Sequence, residues 1–224
     1  MRRLGVMLLA CAFLAAGNAR AETFRVEHDH LWRSCKGSLV FGDKTVEYVA
    51  DKKEHSRSWK YEDIQQLALM PGRISILTYN ARKVEFGADQ AFNFKLISGT
   101  LSEQFRIEIA AKLTRPIVSA IVPEKMDVRF SIPARHRLFM SDSQGILEFG
   151  DDCIIYRSAE PKDSKIWRYE ELLSMGSTGP FQLRIGALQK TGGEYGEEKN
   201  YVFDLKRRIT SEEYDFIWEK INRR

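Results

Sequence analysis

The segment GSLVFGDKTVEY, residues 37–48, returns 108 positions later as GILEFGDDCIIY, residues 145–156. The same shift lays SRSWKYED, residues 56–63, over SKIWRYEE, residues 164–171, and the first copy can be followed without a gap over residues 28–67. Chance matches favour common residues such as Leu and Ala, whereas the residues kept here are Gly, Trp, Tyr and Phe at fixed spacing. The chain is therefore a tandem repeat of one structural unit.

Apolar residues alternate within each copy, which places successive side chains on opposite faces of a β-strand. The clearest strands flank the turn Gly42-Asp43-Lys44 in the first copy and the turn Gly150-Asp151-Asp152 in the second, so the same β-hairpin is predicted twice. Each copy has room for six or seven short strands at hairpin spacing. The pattern predicts a mainly β unit, either a small barrel or a sandwich.

Both copies end in a change of apolar period from two residues to about 3.6, which indicates a closing α-helix. Ser102-Glu103-Gln104-Phe105 aligns with Ser211-Glu212-Glu213-Tyr214 at a shift of 109, with a capping hydroxyl and acids in the first turn. In the second copy an apolar stripe is expected to cover an open end of the barrel. That stripe consists of Tyr214, Ile217, Trp218 and Ile221, and the weaker stripe of the first copy consists of Phe105, Ile109 and Leu113.

A run of strands followed by one helix, repeated within one chain, resembles a tandem pair of pleckstrin-homology-like (PH-like) domains of the bacterial, exported type. In that family seven antiparallel strands bend into a partly open barrel, and a C-terminal amphipathic helix plugs one end, often through a Trp, here Trp218. The resemblance implies two tandem PH-like barrels, each closed by a C-terminal helix. It also implies binding rather than chemistry, because such domains serve as lipid, peptide or protein adaptors, and it supplies no catalytic residues.

The expected organisation is a signal peptide over residues 1–21, a first PH-like domain over 22–115, a linker over 116–125 and a second PH-like domain over 126–224. The split falls where Pro116 and Pro123 discourage continuation of the closing helix. Each unit of about a hundred residues can close its own core.

The N-terminal stretch has the organisation of a secretory signal peptide. Arg2 and Arg3 precede an apolar run too short to span a bilayer, and Ala19-Arg20-Ala21 fits the small-x-small cleavage pattern. A lipoprotein form, cleaved before Cys11, is the alternative. The leader predicts a periplasmic or secreted protein.

The charge of the chain gives no sign of a polyanionic partner. Three of the 35 basic residues, Arg2, Arg3 and Arg20, lie in the leader, so the remaining chain is close to neutral against 31 acidic residues. Interspersed charges of both signs leave no footprint for nucleic acid. The two hairpin turns are acidic where lipid-binding PH domains are basic, which disfavours phosphoinositide binding there. Peripheral association with the envelope and the oligomeric state stay open.

The Trp-x-Tyr-Glu motif, at residues 59–62 and 167–170, is the most marked shared feature. Its Trp and Tyr share one strand face and are expected to fill the core, the alternative being a ligand groove lined by Trp59 and Trp167. The carboxylates around the motif are expected to cap turns rather than transfer protons, because no His or metal accompanies them. They are Glu62, Asp63, Glu170 and Glu171.

His28-x-His30 with Cys35 is the only cluster of metal-ligand residue types. A fourth ligand is missing and the second copy keeps only His136, so we expect no metal and no other cofactor. The retained pair points to a shared structural role, such as holding a loop carbonyl. Cys35 and Cys153 are the cysteines left after cleavage, and an exported compartment permits a disulfide between them, two buried thiols being the alternative.

The sequence has no Gly-x-Ser-x-Gly elbow, phosphate-cradling glycine loop or His-Glu-x-x-His motif. We therefore expect a non-enzymatic adaptor of the cell envelope that contacts a protein or peptide, through the groove between the repeats or through exposed sheet edges. The alternative is a lipid or other hydrophobic ligand inside or between the barrels, which needs a cavity lined by residues such as Tyr48 and Trp59. A hydrolase site assembled across the two repeats is a third class.

Overall fold

The computed structural model describes residues 21–29, 34–81, 89–138, 141–190 and 198–222. These residues form fifteen β-strands, two α-helices and four short 3-10 turns. The predicted mainly β class with a helix at the end of each repeat is confirmed. Residues 1–20 of the predicted leader, His30 and the glycines at 192 and 193 lie outside the described residues.

The two repeats have the same order of elements. The first contains β1 (Glu22–Asp29), β2 (Ser34–Phe41), β3 (Thr45–Ala50), β4 (Arg57–Lys60), β5 (Ile64–Met70), β6 (Arg73–Ala81), β7 (Asp89–Ser98) and α1 (Glu103–Ala110), with 3-10 turns at Lys53–His55 and Tyr61–Asp63. The second contains β9 (Phe130–Arg137), β10 (Asp142–Phe149), β11 (Cys153–Ser158), β12 (Lys165–Arg168), β13 (Leu172–Gly176), β14 (Gln182–Leu188), β15 (Glu198–Leu205) and α2 (Ser211–Asn222), with 3-10 turns at Pro161–Asp163 and Tyr169–Glu171. Between them lies β8 (Ile117–Ser119).

The described strands form one open sheet rather than two separate ones. Its order is β13-β14-β15-β9-β10-β11-β12-β8-β5-β6-β7-β1-β2-β3-β4. The seven strands of each repeat are contiguous in this order, and consecutive pairs within a repeat are antiparallel. The strands β4 and β13 are the two ends of the sheet.

Strand β8 joins the two repeats, and it lies within the stretch expected to be a linker. It runs parallel to β5, with Ile117 opposite Leu67 and Ser119 opposite Leu69. Its other edge meets β12, where Ser119 lies opposite Ile166 in an antiparallel bridge. Because backbone hydrogen bonds run on both sides of β8, the segment between the repeats is part of the sheet rather than a tether.

Both repeats contain the same irregularity in strand pairing. The pairing of β5 with β6 shifts register between Ile64 and Gln66, and the pairing of β13 with β14 shifts between Leu172 and Ser174, the same positions at an offset of 108. The partner strands then follow at an offset of 109, and the turn between the strands spans residues 71–72 in the first repeat and 177–181 in the second. The slip in sequence register is therefore confined to a turn.

Each repeat encloses its own hydrophobic cluster. Trp59 and Trp167 are both 5% exposed. Trp59 packs against Phe92 in a tilted arrangement and Trp167 packs edge-on against Tyr201, each with ring centroids 4.8 Å apart. The core interpretation of the Trp-x-Tyr motif is thus confirmed. Burial of these large rings is the main apolar contribution to cores of this size.

The closing helices are present, but the stripe predicted for α2 is wrong at Trp218. Ile217 and Ile221 are buried, whereas Trp218 is 52% exposed and Phe216 packs instead against Phe130, with centroids 5.8 Å apart. The prediction is wrong because it aligned Ser102 with Ser211, which places the start of the second helix one residue too late. The cap of α1 is Ser102, whose hydroxyl accepts from the Phe105 amide at 3.0 Å.

In α2 the corresponding cap is Thr210, which accepts from the Glu213 amide at 3.2 Å and donates its own amide to that carboxylate at 3.0 Å. The helices therefore correspond at an offset of 108, so that Ile109 matches Ile217 rather than Trp218. Within the described residues, neither helix is long and apolar enough to cross a membrane.

Candidate functional site

The shared Trp-x-Tyr motif also fixes the hairpin turn. The Tyr61 hydroxyl donates to the Gly42 carbonyl at 2.8 Å, and the Tyr169 hydroxyl donates to the Gly150 carbonyl at 3.0 Å. Lys112, after α1, donates to the Gly42 carbonyl at 2.9 Å. The first acidic turn, predicted to be a poor lipid site, is thus held by Tyr61 and by Lys112 just after α1, and the second is held by Tyr169.

In the second repeat the equivalent lysine is Lys220, whose ammonium donates to the backbone carbonyl of Asp151 at 2.8 Å and lies 3.4 Å from its carboxylate. Arg129 approaches the same carboxylate, with its guanidinium nitrogens 3.0 to 3.2 Å from the oxygens. These cations hold the pKa of Asp151 below its usual value, chiefly through the Arg129 hydrogen bond. In the second hairpin turn, the carboxylate of Asp151 is therefore already paired with two cations.

Gly37 and Gly145, the first shared glycines of the two repeats, each lie beneath a tyrosine ring that leaves no room for a Cβ. A Cβ added at Gly145 would lie 2.9 Å from the Tyr156 ring and 2.4 Å from the Arg157 carbonyl, and one added at Gly37 would lie 2.6 Å from the Tyr48 ring. The Tyr48 hydroxyl then reaches the Cys35 carbonyl at 2.9 Å. The shared Gly and Tyr therefore depend on each other, because the tyrosine ring packs where the glycine has no side chain.

His28 and His136 share a packing role. His28 stacks on Phe94 with centroids 4.8 Å apart, and His136 stacks on Phe203 at 4.9 Å. The Nδ1 atom of His136 is buried without a hydrogen-bond partner, and burial lowers the pKa of this imidazole to about 4. The role that the pair shares in this structure is stacking on a core aromatic ring, and Nδ1 of His136 takes no part in holding a loop carbonyl.

Cys35 lies beside His28 and Tyr48, with its Sγ atom 3.1 Å from the Tyr48 hydroxyl and 3.9 Å from Nδ1 of His28. Cys153 lies elsewhere, 3.4 Å from the Met126 sulfur. Neither cysteine is in a disulfide in this structure, so of the two alternatives, a bridge between Cys35 and Cys153 or two separate thiols, the structure has the second. Each sulfur is instead packed against a neighbour within its own half of the chain. Among the described residues there is no group of three His, Cys, Asp or Glu placed to hold a metal ion.

The carboxylates of the motif act at turns. Glu171 is buried and accepts from the Arg168 amide at 2.9 Å and from its guanidinium at 3.1 Å, which caps the 3-10 turn. Burial raises the pKa of Glu171, and the hydrogen bonds from Arg168 oppose that rise. Glu170 pairs with the same guanidinium at 2.7 Å, and Glu62 pairs with Lys60 at 3.1 Å.

The junction between the repeats is closed by polar contacts. The Gln66 side chain accepts from the Lys190 amide at 2.7 Å and donates to the Lys190 carbonyl at 3.0 Å, as a neighbouring strand would. The Lys190 ammonium reaches Gln65 at 2.7 Å and Asp89 at 2.6 Å. The two cavities that the described residues leave at this junction measure about 20 and 10 Å³, room for about one water each. Among the described residues, these side chains therefore occupy the groove expected between the repeats at this point.

Two larger concavities lie on the surface. One of about 430 Å³ lies beside Cys35, His55 and the loop around Lys52, and one of about 470 Å³ lies between residues 124–128 and Arg157. Arg157 crosses the second concavity, since its guanidinium donates to the Glu148 carboxylate at 2.9 Å and to the Pro123 carbonyl at 2.9 Å. The first is lined by Ser34, Cys35, Lys36, Asp51, Lys52, Glu54 and His55, so a thiol, an imidazole and two carboxylates share one concavity. Within it His55 lies 3.8 Å from Glu54, and Asp51 accepts from Arg25 at 2.6 to 2.8 Å.

The two ends of the sheet differ in chemistry. The terminal strand β4 carries Arg57 and Lys60, charges that discourage edge-to-edge pairing. The other terminal strand, β13, reads Leu-Leu-Ser-Met-Gly and has no charge, and its Leu173 is 42% exposed. Sheet edges in general were expected as contact surfaces, and the two terminal strands of the described sheet differ in their charge.

No protein-family model matches this chain, and no curated protein matches it in sequence. Among solved structures the chain is similar to one described as the structure of the Spt16D Pob3N heterodimer, with a TM-score of 0.30 and 10% identity over 76% of this chain and 85% of that one. A likeness at this level does not assign a family.

Proposed function

We propose that this chain is a non-enzymatic adaptor of the cell envelope that binds a protein or peptide partner by adding an extended segment to the edge of its sheet. The observation that carries the proposal is β8. In that strand an extended apolar segment lies along β5, and the Ala120 amide beyond it donates to the Leu69 carbonyl at 2.9 Å. Strand addition of this kind is a common mode of peptide recognition.

The PH-like arrangement of two partly open barrels belongs to the same proposal. Seven contiguous strands, a 3-10 turn after the Trp strand and a closing helix recur in both repeats, with boundaries near residues 115 and 126. The aromatic packing leaves the alternative, a lipid inside a barrel, without support. Tyr48 and Trp59, the residues expected to line such a cavity, are 1% and 5% exposed and pack against Phe94 and Phe92.

The paired surface charges support the absence of a nucleic-acid partner. Asp204 accepts from Arg135 at 2.5 Å and from Arg137 at 2.8 Å, and these hydrogen bonds lower the pKa of its carboxyl to about 2. Guanidinium groups held by a carboxylate are not free to replace phosphate counterions. Location in the periplasm or outside the cell follows from the leader and is part of the proposal.

The test is to capture partners from an envelope extract with the mature chain and then to titrate the purified partner into the purified chain by calorimetry. We expect saturable binding to a protein and no lipid in an organic extract of the captured material. A co-purifying lipid with no binding protein would contradict the proposal and favour the alternative.

A further inference from the structure

We propose that Cys35 is a modification site, at which the thiol exchanges with a negatively charged disulfide of low molecular weight and the attached half lies in the adjacent concavity of about 430 Å³. This inference goes beyond the adaptor function and does not depend on it. It rests on the groups around the Cys35 sulfur, on the lysines that line the concavity, and on the difference between the two repeats at these positions.

The thiol of Cys35 lies where it can lose its proton. The residue is half-buried in the wall of the concavity and is not in a disulfide. Its Sγ atom lies 3.9 Å from Nδ1 of His28, which accepts a proton when Nε2 carries the ring hydrogen. The Tyr48 hydroxyl donates to the Cys35 carbonyl at 2.9 Å and lies 3.1 Å from Sγ, so it can turn to donate to the thiolate.

The second repeat does not keep this arrangement. The residue that matches Cys35 is Ser143, which is 3% exposed and whose hydroxyl lies 2.7 Å from the Ser158 hydroxyl. The residue that matches Ser158 is Ala50, which has no hydroxyl. A buried pair of hydroxyl groups in the second repeat is therefore replaced in the first by a thiol that reaches a surface concavity.

The charges around the concavity favour an anion. Asp51 accepts two hydrogen bonds from Arg25, at 2.6 and 2.8 Å, and these bonds lower the pKa of its carboxyl, with the charge of Lys36 adding to the effect. The Asp51 carboxylate is therefore neutralised by a guanidinium. Lys36 and Lys52 are exposed among the residues that line the concavity, so both ammonium groups can turn toward a ligand.

The matching positions of the second repeat have the opposite balance of charge. Two lysines and two acids line the concavity, and Arg25 beside it adds a further positive charge. The seven matching positions of the second repeat have one lysine and three acids, and Pro133 takes the place of Arg25. Glu160 stands where the first repeat has Lys52. Positive charge and the thiol therefore occur together in the first repeat only.

The exchange balances with a disulfide as its one added reactant. Cys35 gives its proton to Nδ1 of His28, and the thiolate attacks one sulfur of the disulfide. A bond forms between Sγ and that sulfur while the original S–S bond breaks, and the leaving thiolate takes the proton from the imidazole. Cys35 is thereby oxidised to a mixed disulfide, and the leaving half is reduced to a thiol. A concavity of this volume is in the range of small-molecule sites.

The test compares two disulfides of opposite charge, oxidised glutathione and cystamine, on the full mature chain at neutral pH. Intact-mass spectrometry follows the rate of adduct formation, and peptide mapping locates the adduct. Each rate is divided by the rate of the same reagent with N-acetylcysteine amide, a neutral thiol. Cys153 is the internal reference, because it packs against Met126 and burial raises the pKa of its thiol. We expect one adduct, on Cys35, formed about tenfold or more faster than any on Cys153, with a preference for oxidised glutathione.

A pair of variants tests the role of charge. Lys52→Glu installs the residue found at the matching position of the second repeat and should lower the preference for oxidised glutathione by about threefold or more, an effect that shrinks at high salt. Lys44→Glu makes the same change of charge at the opposite end of the hairpin and should leave the preference unchanged.

Four results would overturn the inference. They are the lack of an adduct on Cys35, normalised rates that are equal for the two disulfides or higher for cystamine, equal effects of Lys52→Glu and Lys44→Glu, and a dimer linked through Cys35 that forms in preference to the adduct. Each of them leaves the adaptor function standing, because that function is tested by capture of a protein partner.

Discussion

The hydroxyl of Tyr169 donates a hydrogen bond to the carbonyl of Gly150, 19 residues earlier, at 3.0 Å in buried surroundings. The same bond recurs in the first repeat. It explains why an aromatic with a hydroxyl follows the core Trp in both copies of the motif, and why the hairpin turn is kept with it. The residues shared by the repeats thus serve the scaffold, and binding is to be sought where the repeats differ.

Replacing Tyr169 with Phe removes this bond and leaves a carbonyl without its buried donor. We expect a loss of about 1–2 kcal/mol in the free energy of unfolding, measured by urea denaturation. Tyr79→Phe is the control, because that residue is 53% exposed and its hydroxyl accepts from Arg115 at the surface. The control should change stability by less than about 0.5 kcal/mol. Equal losses in the two variants would show that the bond to Gly150 has no special part in stability.

The glycine beneath Tyr156 gives a second prediction. In Gly145→Ala the new Cβ would meet the Arg157 carbonyl at 2.4 Å, and backbone cannot yield as a flexible side chain does. We expect destabilisation of about 1–3 kcal/mol or more by the same measurement. Gly176→Ala is the matched strand control, since nothing lies within 4 Å of its new Cβ. A Gly145→Ala variant as stable as this control would place Tyr156 elsewhere.

The buried imidazole of His136 predicts a pH dependence. Burial lowers its pKa to about 4, and the nearby cations Lys165 and Lys199 add to the lowering while Asp163 opposes it. In the unfolded chain the pKa of a histidine is about 6.5, so between these values the unfolded state binds more protons. The free energy of unfolding should therefore fall as the pH drops from about 6.5 to about 4, with this residue contributing on the order of 2–3 kcal/mol.

His136→Phe keeps the ring stacked on Phe203 and removes the titration. We expect the difference in stability between wild type and variant to shift toward the variant on going from neutral to acidic pH, measured by urea unfolding at both. Carboxylates titrate alike in the two proteins and cancel. Parallel pH profiles would mean that His136 is not buried as a neutral ring.

Much of the scaffold could be predicted from the sequence because its signals are local. Alternating residues around Gly42 and Gly150 predicted the hairpins, and Trp59 and Trp167 were expected in the core. The orientation of α2 was not predicted correctly, because adjacent residues, Thr210 and Ser211, can both cap a helix, and choosing the wrong one turns Trp218 toward the core.

The joining strand β8 could not be anticipated from the prolines that flank it. Pro116 and Pro123 favour a break, and the partner of Ile117 lies 50 residues away at Leu67, a pairing that no local pattern specifies. The apolar, β-branched run after Pro116 was the available signal.

The most direct measurement is amide hydrogen exchange at residues 117–120 of the free protein. The Ala120 amide donates to the Leu69 carbonyl at 2.9 Å, so we expect it to exchange as slowly as the amides of β5 itself. Protection there would show that an extended segment is held along the β5 edge, the observation that carries the proposed function. Exchange at the rate of an unstructured chain, with β5 and β6 still protected, would show that residues 116–125 are a free linker and would contradict it.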